Sequence, residues 1–152
     1  MANELSCRPE SLEAALTAVS GARPIAGGTD LMVHFRPGAP TPVDLGVPPL
    51  FIAHLPELRE LRSDAQAWEI GACVTLSELS CASRCPTGLR ELLRWFASPA
   101  IRNVATVGGN VCNASPAGDL LPWLYVSGAT VMLASMRDRR EVPIREFITG
   151  PG

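Results

Sequence analysis

Hydrophobic and polar residues follow two different periods along this chain, which predicts both helices and strands. Residues 9–20 place leucine, alanine and valine at intervals of three and four before Gly21, the pattern of an amphipathic helix. Helices are also predicted at residues 29–35, where Thr29 or Asp30 is the cap, and at 76–81, 86–97 and 120–126, with helical turns at 55–61 and 145–148. Strands are predicted at residues 24–26, 68–74, 129–134 and 141–144. This interleaving predicts an α+β or α/β fold.

Two local patterns refine this prediction. Residues 37–49 contain five prolines and two glycines, which predicts a loop with at most one short strand and a boundary between two lobes. Thr75 is followed three residues later by Glu78, the pattern of a capping box at the start of the helix that follows.

The segment at residues 104–119 combines glycine, serine, threonine and asparagine with regularly placed valines. We expect Pro99 to end the helix predicted at residues 86–97. The composition of residues 104–119 predicts an irregular extended loop through a buried region. This loop contains a Gly-Gly pair, and another pair follows the predicted strand at residues 24–26. Both pairs are interpreted as loop features.

Each Gly-Gly pair has the chemistry to bind an anion. Paired glycines let main-chain N–H groups approach a diphosphate without side-chain interference, and nearby Thr, Ser and Asn side chains add neutral donors. Asp119 suits a sugar or ribityl hydroxyl, because a carboxylate accepts hydrogen bonds and repels phosphate. Taken alone, each pair is more often only a tight turn. Neither pair matches the Rossmann or P-loop glycine pattern.

Composition excludes several classes of function. The chain has 152 residues, of which 47% are hydrophobic and 18% charged, as expected for a globular domain. All thirteen basic residues are arginines and the net charge is -2, which excludes a strongly basic nucleic-acid surface and a lysine nucleophile. The N-terminus has no secretory signal, and the longest uncharged stretch, residues 120–136, is too short and interrupted to cross a membrane. We therefore expect a cytoplasmic protein.

The cysteines and histidines do not predict a metal site. Five cysteines without an export signal indicate reduced thiols. Cys81 and Cys85 could share a helix face, but no further ligand stands near them to complete a tetrahedral site. His34 and His54 lie outside any such cluster, and we expect surface or loop residues rather than catalytic bases.

Three sequence runs resemble one known family. PIAGGTDLMVHFR near the N-terminus, LRWFASPAIRNVATVGGNVCNASPAGDLLP in the second half and REFITGPG at the end are similar to the flavin-binding subunit of the molybdenum hydroxylases, which include xanthine dehydrogenase and carbon monoxide dehydrogenase. The run at residues 101–119 is the most specific, because glycine and polar positions agree in order along its length. The resemblance covers nearly the whole chain.

This resemblance implies an FAD domain of the vanillyl-alcohol-oxidase type, in which two α+β lobes, here residues 1–54 and 55–152, enclose the cofactor. The first glycine segment would wrap the FAD diphosphate, and the second would support it from the other lobe. Phe96 would lie beside the ring system, although packing in the core explains an aromatic residue there equally well. The resemblance assigns FAD contacts to Ile25, Ala26, Gly27, Gly28, Thr29, Asp30, Leu31, Phe96, Thr106, Val107, Gly108, Gly109, Asn110, Ser115 and Asp119.

The same resemblance implies a role in electron transfer. Subunits of this family take electrons from two-iron two-sulfur clusters of a partner, which a molybdenum-cofactor subunit reduces, and pass them through FAD to NAD or another acceptor. Family members continue past a turn like GPG into a C-terminal domain, so we expect this chain to be part of a larger whole. Two alternatives are a non-redox assembly module with the same fold and a flavin oxidase with its own organic substrate.

Overall fold

Short helices and strands alternate along the chain, as the two hydrophobic periods predict. The structure, a computed structural model, describes residues 8–34, 44–64 and 67–150. The helices are α1 Leu12–Ala18, α2 Leu31–His34, α3 Leu76–Cys81, α4 Thr87–Trp95, α5 Pro99–Arg102, α6 Val107–Asn113, α7 Leu120–Val126 and α8 Ile144–Phe147, with 3-10 helices at Val19–Gly21 and Pro56–Leu58. The strands are β1 Arg23–Ile25, β2 Pro49–Phe51, β3 Leu61–Ser63, β4 Trp68–Ile70, β5 Thr130–Ala134 and β6 Arg139–Pro143. The predicted mixture of helix and strand is confirmed.

The strands of the described ranges pair two by two. β1 and β2 are parallel, with Ile25 opposite Phe51, whereas β3 pairs with β4 and β5 pairs with β6 in antiparallel fashion. A parallel pair needs a crossover connection, and the first Gly-Gly segment and α2 lie on the chain between β1 and β2. The first glycine segment is therefore the start of a crossover at the carboxyl end of a strand.

Two groups of buried hydrophobic residues form the core. The smaller group, Ala15, Leu50 and Leu55, packs α1 against the loops around β2. The larger group covers α3, α4, α6, α7 and α8, and its members are Val74, Leu76, Leu79, Cys85, Leu89, Leu93, Ala105, Val107, Val111, Ala114, Leu120, Leu121, Leu124 and Ile144. The division of the chain after residue 54 stays a prediction, and Leu55 itself packs in the smaller group.

Several predicted elements are confirmed. Thr75 caps α3 through its hydroxyl, which accepts from the Glu78 N–H, and the Glu78 carboxylate in return accepts from the Thr75 N–H at 2.8 Å. Helices α4 and α7 and strand β5 lie where their patterns place them. The turn predicted at residues 145–148 is the short helix α8.

The extended loop predicted at residues 104–119 is wrong in its central part, which forms helix α6. The Thr106 hydroxyl accepts from the Gly109 N–H and starts the helix, while Val107 and Val111, four residues apart, are buried on one face. Two glycines in the first turn concealed this helix, because glycine lowers helix propensity. Pro99 follows the end of α4 and also opens α5, at a position that needs no amide donor.

Smaller differences concern the short elements. The helical turn predicted at residues 55–61 is a 3-10 helix followed directly by β3, and β2 was not predicted as a strand. Cys81 ends α3 and Cys85 lies beyond the next turn, so the expectation that they share a helix face is wrong. The loop predicted at residues 37–49 lies largely outside the described residues, as does Phe35.

The polar groups that were weighed as candidate ligands lie apart. Cys73, Cys81, Cys85 and Cys112 are free thiols, and Cys7 is outside the described residues. His34 is exposed at the end of α2, and the ring of His54 is hydrogen bonded to the Pro9 carbonyl oxygen at 2.8 Å. Within the described ranges, no helix is long and apolar enough to cross a membrane.

Candidate functional site

The first Gly-Gly segment forms a tight turn between β1 and α2. Ile25 is buried and anchors the end of the strand, and Gly28 follows with a φ of 68°, in the left-handed region that favours glycine. The Gly28 carbonyl accepts from the Met32 N–H at 2.9 Å, and the Asp30 carbonyl accepts from the His34 N–H at 3.1 Å. The carbonyl groups of the turn are therefore occupied by the helix that follows.

The amides of this turn have no acceptor in the described part of the chain. Of all the described residues, none accepts a hydrogen bond from the main-chain N–H groups of residues 26–30. Residues 26–29 are half-buried, and Asp30 is exposed. Main-chain N–H groups that are shielded from water are usually paired, so consecutive donors without an acceptor among the described residues, at the half-buried positions 26–29, indicate a place for an acceptor from outside the chain. Successive N–H groups in a turn form a concave site suited to an anion.

Gly27 brings this turn into direct contact with the second half of the chain. A Cβ atom at Gly27 would lie 2.1 Å from the Val104 carbonyl oxygen and 3.1 Å from the Ala105 Cα. Only glycine permits this approach, because any side chain would collide with backbone. The free amides therefore lie next to the segment that leads into Thr106 and the second Gly-Gly pair.

An apolar cavity of about 390 Å³ adjoins the first turn. Ile25, Gly27 and Gly28 form one side, while Met32 and Phe51 contribute large, partly exposed side chains. A flat apolar group beside an anion-binding turn would be sheltered from water there.

The second Gly-Gly segment differs from the first, because its amides are already hydrogen bonded. The Val107 N–H donates to the Val74 carbonyl at 3.0 Å, the Gly108 N–H to the Ala72 carbonyl at 2.8 Å, and the Gly109 N–H to the Thr106 hydroxyl at 3.1 Å. The Asn110 N–H donates to the Thr106 carbonyl within the helix. The expectation that this pair offers free amides to a diphosphate is wrong.

Close packing explains the glycine at position 108. A Cβ atom there would lie 2.8 Å from both the carbonyl oxygen and the Cβ of Ala72. Thr106, although polar, is buried, and it forms an isolated antiparallel bridge with Thr75. The start of α6 is thus fixed against residues 72–76 by backbone hydrogen bonds.

Asn110 supplies the unpaired polar group of the second segment. Its Oδ1 atom is buried and, as far as the described part of the chain extends, has no hydrogen-bond partner. Burying an unpaired acceptor is unfavourable, and each such case in a native protein calls for an explanation. A donor on a ligand would provide that partner.

Phe96 lies at the end of α4, half-buried, and packs against the larger core group. Ala97 follows with a φ of 42°, which is uncommon for a residue with a Cβ atom. The Arg102 guanidinium donates through Nη1 to the Phe96 carbonyl at 2.6 Å and to the Ala97 carbonyl at 2.9 Å. Arg102 was not predicted as a site residue, because nothing in the local pattern shows which carbonyl groups an arginine will reach.

Ser115 and Asp119 belong to the turn between α6 and α7. The Ser115 hydroxyl accepts from the Ala117 N–H at 3.3 Å, and Asp119 is exposed, its carboxylate forming no cap on α7. Ser115, Gly118 and Tyr125 help to line a second cavity of about 410 Å³. The structure therefore leaves the Asp119 carboxylate available, while the Ser115 hydroxyl can still donate.

Thiol and carboxylate groups near these segments show no arrangement typical of catalysis. Burial raises the pKa of Cys73 to about 11, although the nearby charge of Arg59 acts in the opposite direction, and burial also raises the pKa of Cys112. Burial tends to raise the pKa of Glu78, but hydrogen bonds from Thr75 and the charge of Arg59 together leave it lowered from 4.5. In the ranges that the structure describes, no group of three His, Cys, Asp or Glu residues could hold a metal ion.

Comparisons with known proteins show which family the chain belongs to. The model of a family described as "FAD binding domain in molybdopterin dehydrogenase" matches residues 3–152. The nicotinate dehydrogenase FAD-subunit of Eubacterium barkeri is 33% identical over 131 residues, 84% of this chain and 43% of that protein. The xanthine dehydrogenase FAD-binding subunit of Escherichia coli O157:H7 is 34% identical over 138 residues, 86% of this chain and 45% of that protein.

Solved structures show the same fold. A chain of the carbon monoxide dehydrogenase from Hydrogenophaga pseudoflava superposes with a TM-score of 0.82 at 26% identity, covering 95% of this chain and 51% of that one. A chain of quinoline 2-oxidoreductase from Pseudomonas putida 86 gives a TM-score of 0.82 at 27% identity, with the same coverage. This chain spans about half the length of these relatives. The resemblance noted in the sequence is confirmed, and the chain belongs to the family of FAD-binding domains of molybdopterin dehydrogenases.

Proposed function

We propose that the chain holds the diphosphate of FAD on the free amides of residues 26–30. The observation that carries this proposal is the run of five consecutive N–H donors without an acceptor among the described residues. Charge-assisted hydrogen bonds from such amides bind phosphate oxygens strongly and need no basic side chain. This suits a chain that contains no lysine.

The second Gly-Gly segment supports the cofactor from the opposite side in a different way. Val107, Gly108 and Gly109 use their amides internally, so their role is to hold the start of α6 against residues 72–74. Thr106 fixes the start of the helix, and Asn110 offers its unpaired Oδ1 atom to a donor group of the cofactor. The buried, partnerless Oδ1 of Asn110 fits a bound polar ligand better than an empty site.

The remaining predicted contacts complete the proposed site. Ile25, Ala26, Thr29 and Leu31 surround the free amides, Phe96 lies beside the flavin ring, and Ser115 and Asp119 bond hydroxyl groups of the cofactor. Two lobes around one FAD correspond to the vanillyl-alcohol-oxidase type of domain. The two core groups and the contact of Gly27 with Val104 support this arrangement.

The proposed role of the domain is electron transfer within a hetero-oligomeric molybdenum hydroxylase of the cytoplasm. FAD, when bound, would supply the redox chemistry. Electrons would come from iron-sulfur clusters of a partner subunit, which a molybdenum-cofactor subunit reduces, and would pass to NAD or another acceptor. The protein residues bind and orient the cofactor and exclude water. The names of the relatives, which include xanthine and nicotinate dehydrogenase FAD subunits, support this role.

Titration of the purified chain with FAD tests the proposal, with flavin fluorescence and protein stability as readouts. We expect one FAD per chain, and an Asn110→Ala variant to bind about tenfold more weakly, because one hydrogen bond contributes about 1–1.5 kcal/mol. The unliganded variant should be at least as stable as the wild type, since an unpaired buried oxygen is removed.

The control is Asn103→Ala, which removes an exposed hydrogen bond with Ser77 outside the proposed site. Its FAD affinity should match that of the wild type. A hetero-oligomeric complex that contains this chain but no flavin would contradict the proposal. Equal FAD affinity in the wild type and the Asn110 variant would contradict the role proposed for the second segment.

A further inference from the structure

The turn between α4 and α5 is held in an unfavourable backbone conformation. Ala97 has a φ of 42°, in the left-handed region that is unfavourable for residues with a Cβ atom. Phe96, immediately before it, is the cap residue of α4 and leaves the helix with extended backbone angles. Something other than local preference must therefore hold this turn.

Arg102 provides that contact from the next helix. Its Nη1 atom donates to the carbonyl groups of both Phe96 and Ala97, at 2.6 and 2.9 Å. The side chain is half-buried, and hydrogen bonds from a charged donor are stronger than neutral ones. Ser98, which caps α5, fixes the start of the helix that carries Arg102.

These two hydrogen bonds fix both peptide groups that flank Ala97, and the peptide orientation at Phe96 sets the direction in which its side chain leaves the backbone. We propose that Arg102 is a positioning residue, which holds the Phe96 ring at the angle needed to contact the flavin ring. This inference rests on the proposed function, because it requires FAD beside Phe96. In this role Arg102 acts through the backbone of Phe96 and Ala97.

A matched contact elsewhere in the chain separates positioning from ordinary stabilisation. Arg84 also donates to main-chain carbonyls of a distant turn, those of Ser63 and Asp64, and lies near the opposite end of α4. If Arg102 only stabilised the fold, loss of Arg84 and loss of Arg102 would have equivalent effects on bound FAD. If Arg102 positions Phe96, only its loss alters the flavin environment.

The experiment compares Arg102→Gln, Arg102→Lys and Arg84→Gln in the full chain loaded with FAD. The readouts are flavin fluorescence, visible circular dichroism of the flavin, FAD affinity and melting temperature. We expect Arg102→Gln to retain FAD through residues 26–30 while flavin fluorescence rises about twofold and the dichroism changes, since the aromatic contact is lost. Arg102→Lys should restore part of the signal, because an ammonium group can still donate to these carbonyls.

Arg84→Gln should lower the melting temperature without changing either flavin signal. Identical flavin signals in the wild type and in folded Arg102→Gln would overturn the inference, and so would equal changes in the Arg84 variant. If Arg102→Gln does not fold, the Lys variant decides the question. Flavin dichroism that differs in part from that of the wild type supports positioning, because the ammonium keeps only part of the contact, whereas dichroism identical to that of the wild type overturns it. Failure of the proposed function is a different result, in which the wild type itself takes up no FAD.

Discussion

The two Gly-Gly segments of this chain share a sequence feature but use it for different purposes. At residues 26–30 the turn leaves five consecutive amides without an acceptor among the described residues. At residues 106–110 the amides of Val107, Gly108 and Gly109 all have acceptors within the protein. A glycine pair by itself therefore does not identify an anion site. The hydrogen-bond partners of its amides do.

Close packing is common to both segments, and it links them. Gly27 lies against the backbone of Val104 and Ala105, and Gly108 lies against Ala72. The first turn thus rests on the segment that starts α6, which in turn rests on residues 72–76. We therefore expect a displacement of the second segment to move the amides of residues 26–30.

The largest loss of stability and of FAD affinity is expected from Gly27→Ala. The new Cβ would lie 2.1 Å from a backbone oxygen, so the turn must move, and we expect a loss of about 3 kcal/mol of stability. Displaced amides should lose at least two phosphate contacts, which weakens FAD binding about 100-fold. Chemical denaturation and FAD titration measure the two effects.

Gly88→Ala is the matched control for this change. Gly88 lies in α4, and a Cβ there would meet no atom within 4 Å. Alanine should stabilise the helix by about 0.5–1 kcal/mol and leave FAD affinity unchanged. Wild-type FAD affinity in the Gly27 variant would show that the first turn is not the phosphate site.

A smaller effect is expected from Gly108→Ala. Its Cβ would lie 2.8 Å from atoms of Ala72, a less severe overlap than at Gly27, and we expect a loss of about 1–2 kcal/mol of stability. FAD affinity should fall less than in the Gly27 variant, because the Gly108 amide is bonded to Ala72 and binds no phosphate. A greater loss of affinity than in the Gly27 variant would reverse the roles assigned to the two segments.

The smallest expected effect is a pH dependence of stability, which comes from the capping box that precedes the second segment. Glu78 accepts from Thr75, whose strand bridge to Thr106 holds the start of α6, and it forms an exposed salt bridge with Arg59. The pKa of Glu78 is lowered in the folded state, so its carboxylate stabilises the fold above the unfolded value of 4.5, and this contribution is lost as the pH falls through the folded pKa.

Thermal melts of the wild type and Glu78→Gln between pH 7 and pH 3 measure this contribution. We expect the wild type to melt higher at neutral pH and the difference to narrow below about pH 4.5. Glu91→Gln, which removes an exposed salt bridge with Arg94, serves as the control for loss of a surface carboxylate. A difference that widens on acidification would contradict the assigned direction.

Much of the fold was predictable wherever the controlling interactions are local. The Thr75–Glu78 capping box spans three residues, and α4 shows its buried Leu89 and Leu93 at helical spacing. Helix α6 was not predicted, because its two glycines lower the helix propensity of the first turn. Its start depends on a buried Thr106 and on hydrogen bonds to residues 72–74. Short strands such as β2 exist only because a distant partner pairs with them.

The candidate site also has a part that the sequence predicts and a part that depends on distant contacts. The order of glycine and polar residues in the two segments was sufficient to indicate the family, which the comparisons confirm. The individual cofactor contacts remain predictions. The Arg102 contact with Phe96 and Ala97 was not foreseen, because a guanidinium can reach many carbonyl groups and the sequence does not select among them.

By itself the amino-acid sequence determined which chemical groups are present: two Gly-Gly segments rich in N–H donors, no lysine, and a capped helix before the second segment. The tertiary structure decided which of those donors remain free. Contact between Gly27 and Val104 joins residues far apart in the chain. Hydrogen bonds from Val107 and Gly108 occupy one set of amides, whereas the other set has no acceptor among the described residues. The physical reason is that an amide is available to a ligand only when no carbonyl of the folded chain reaches it.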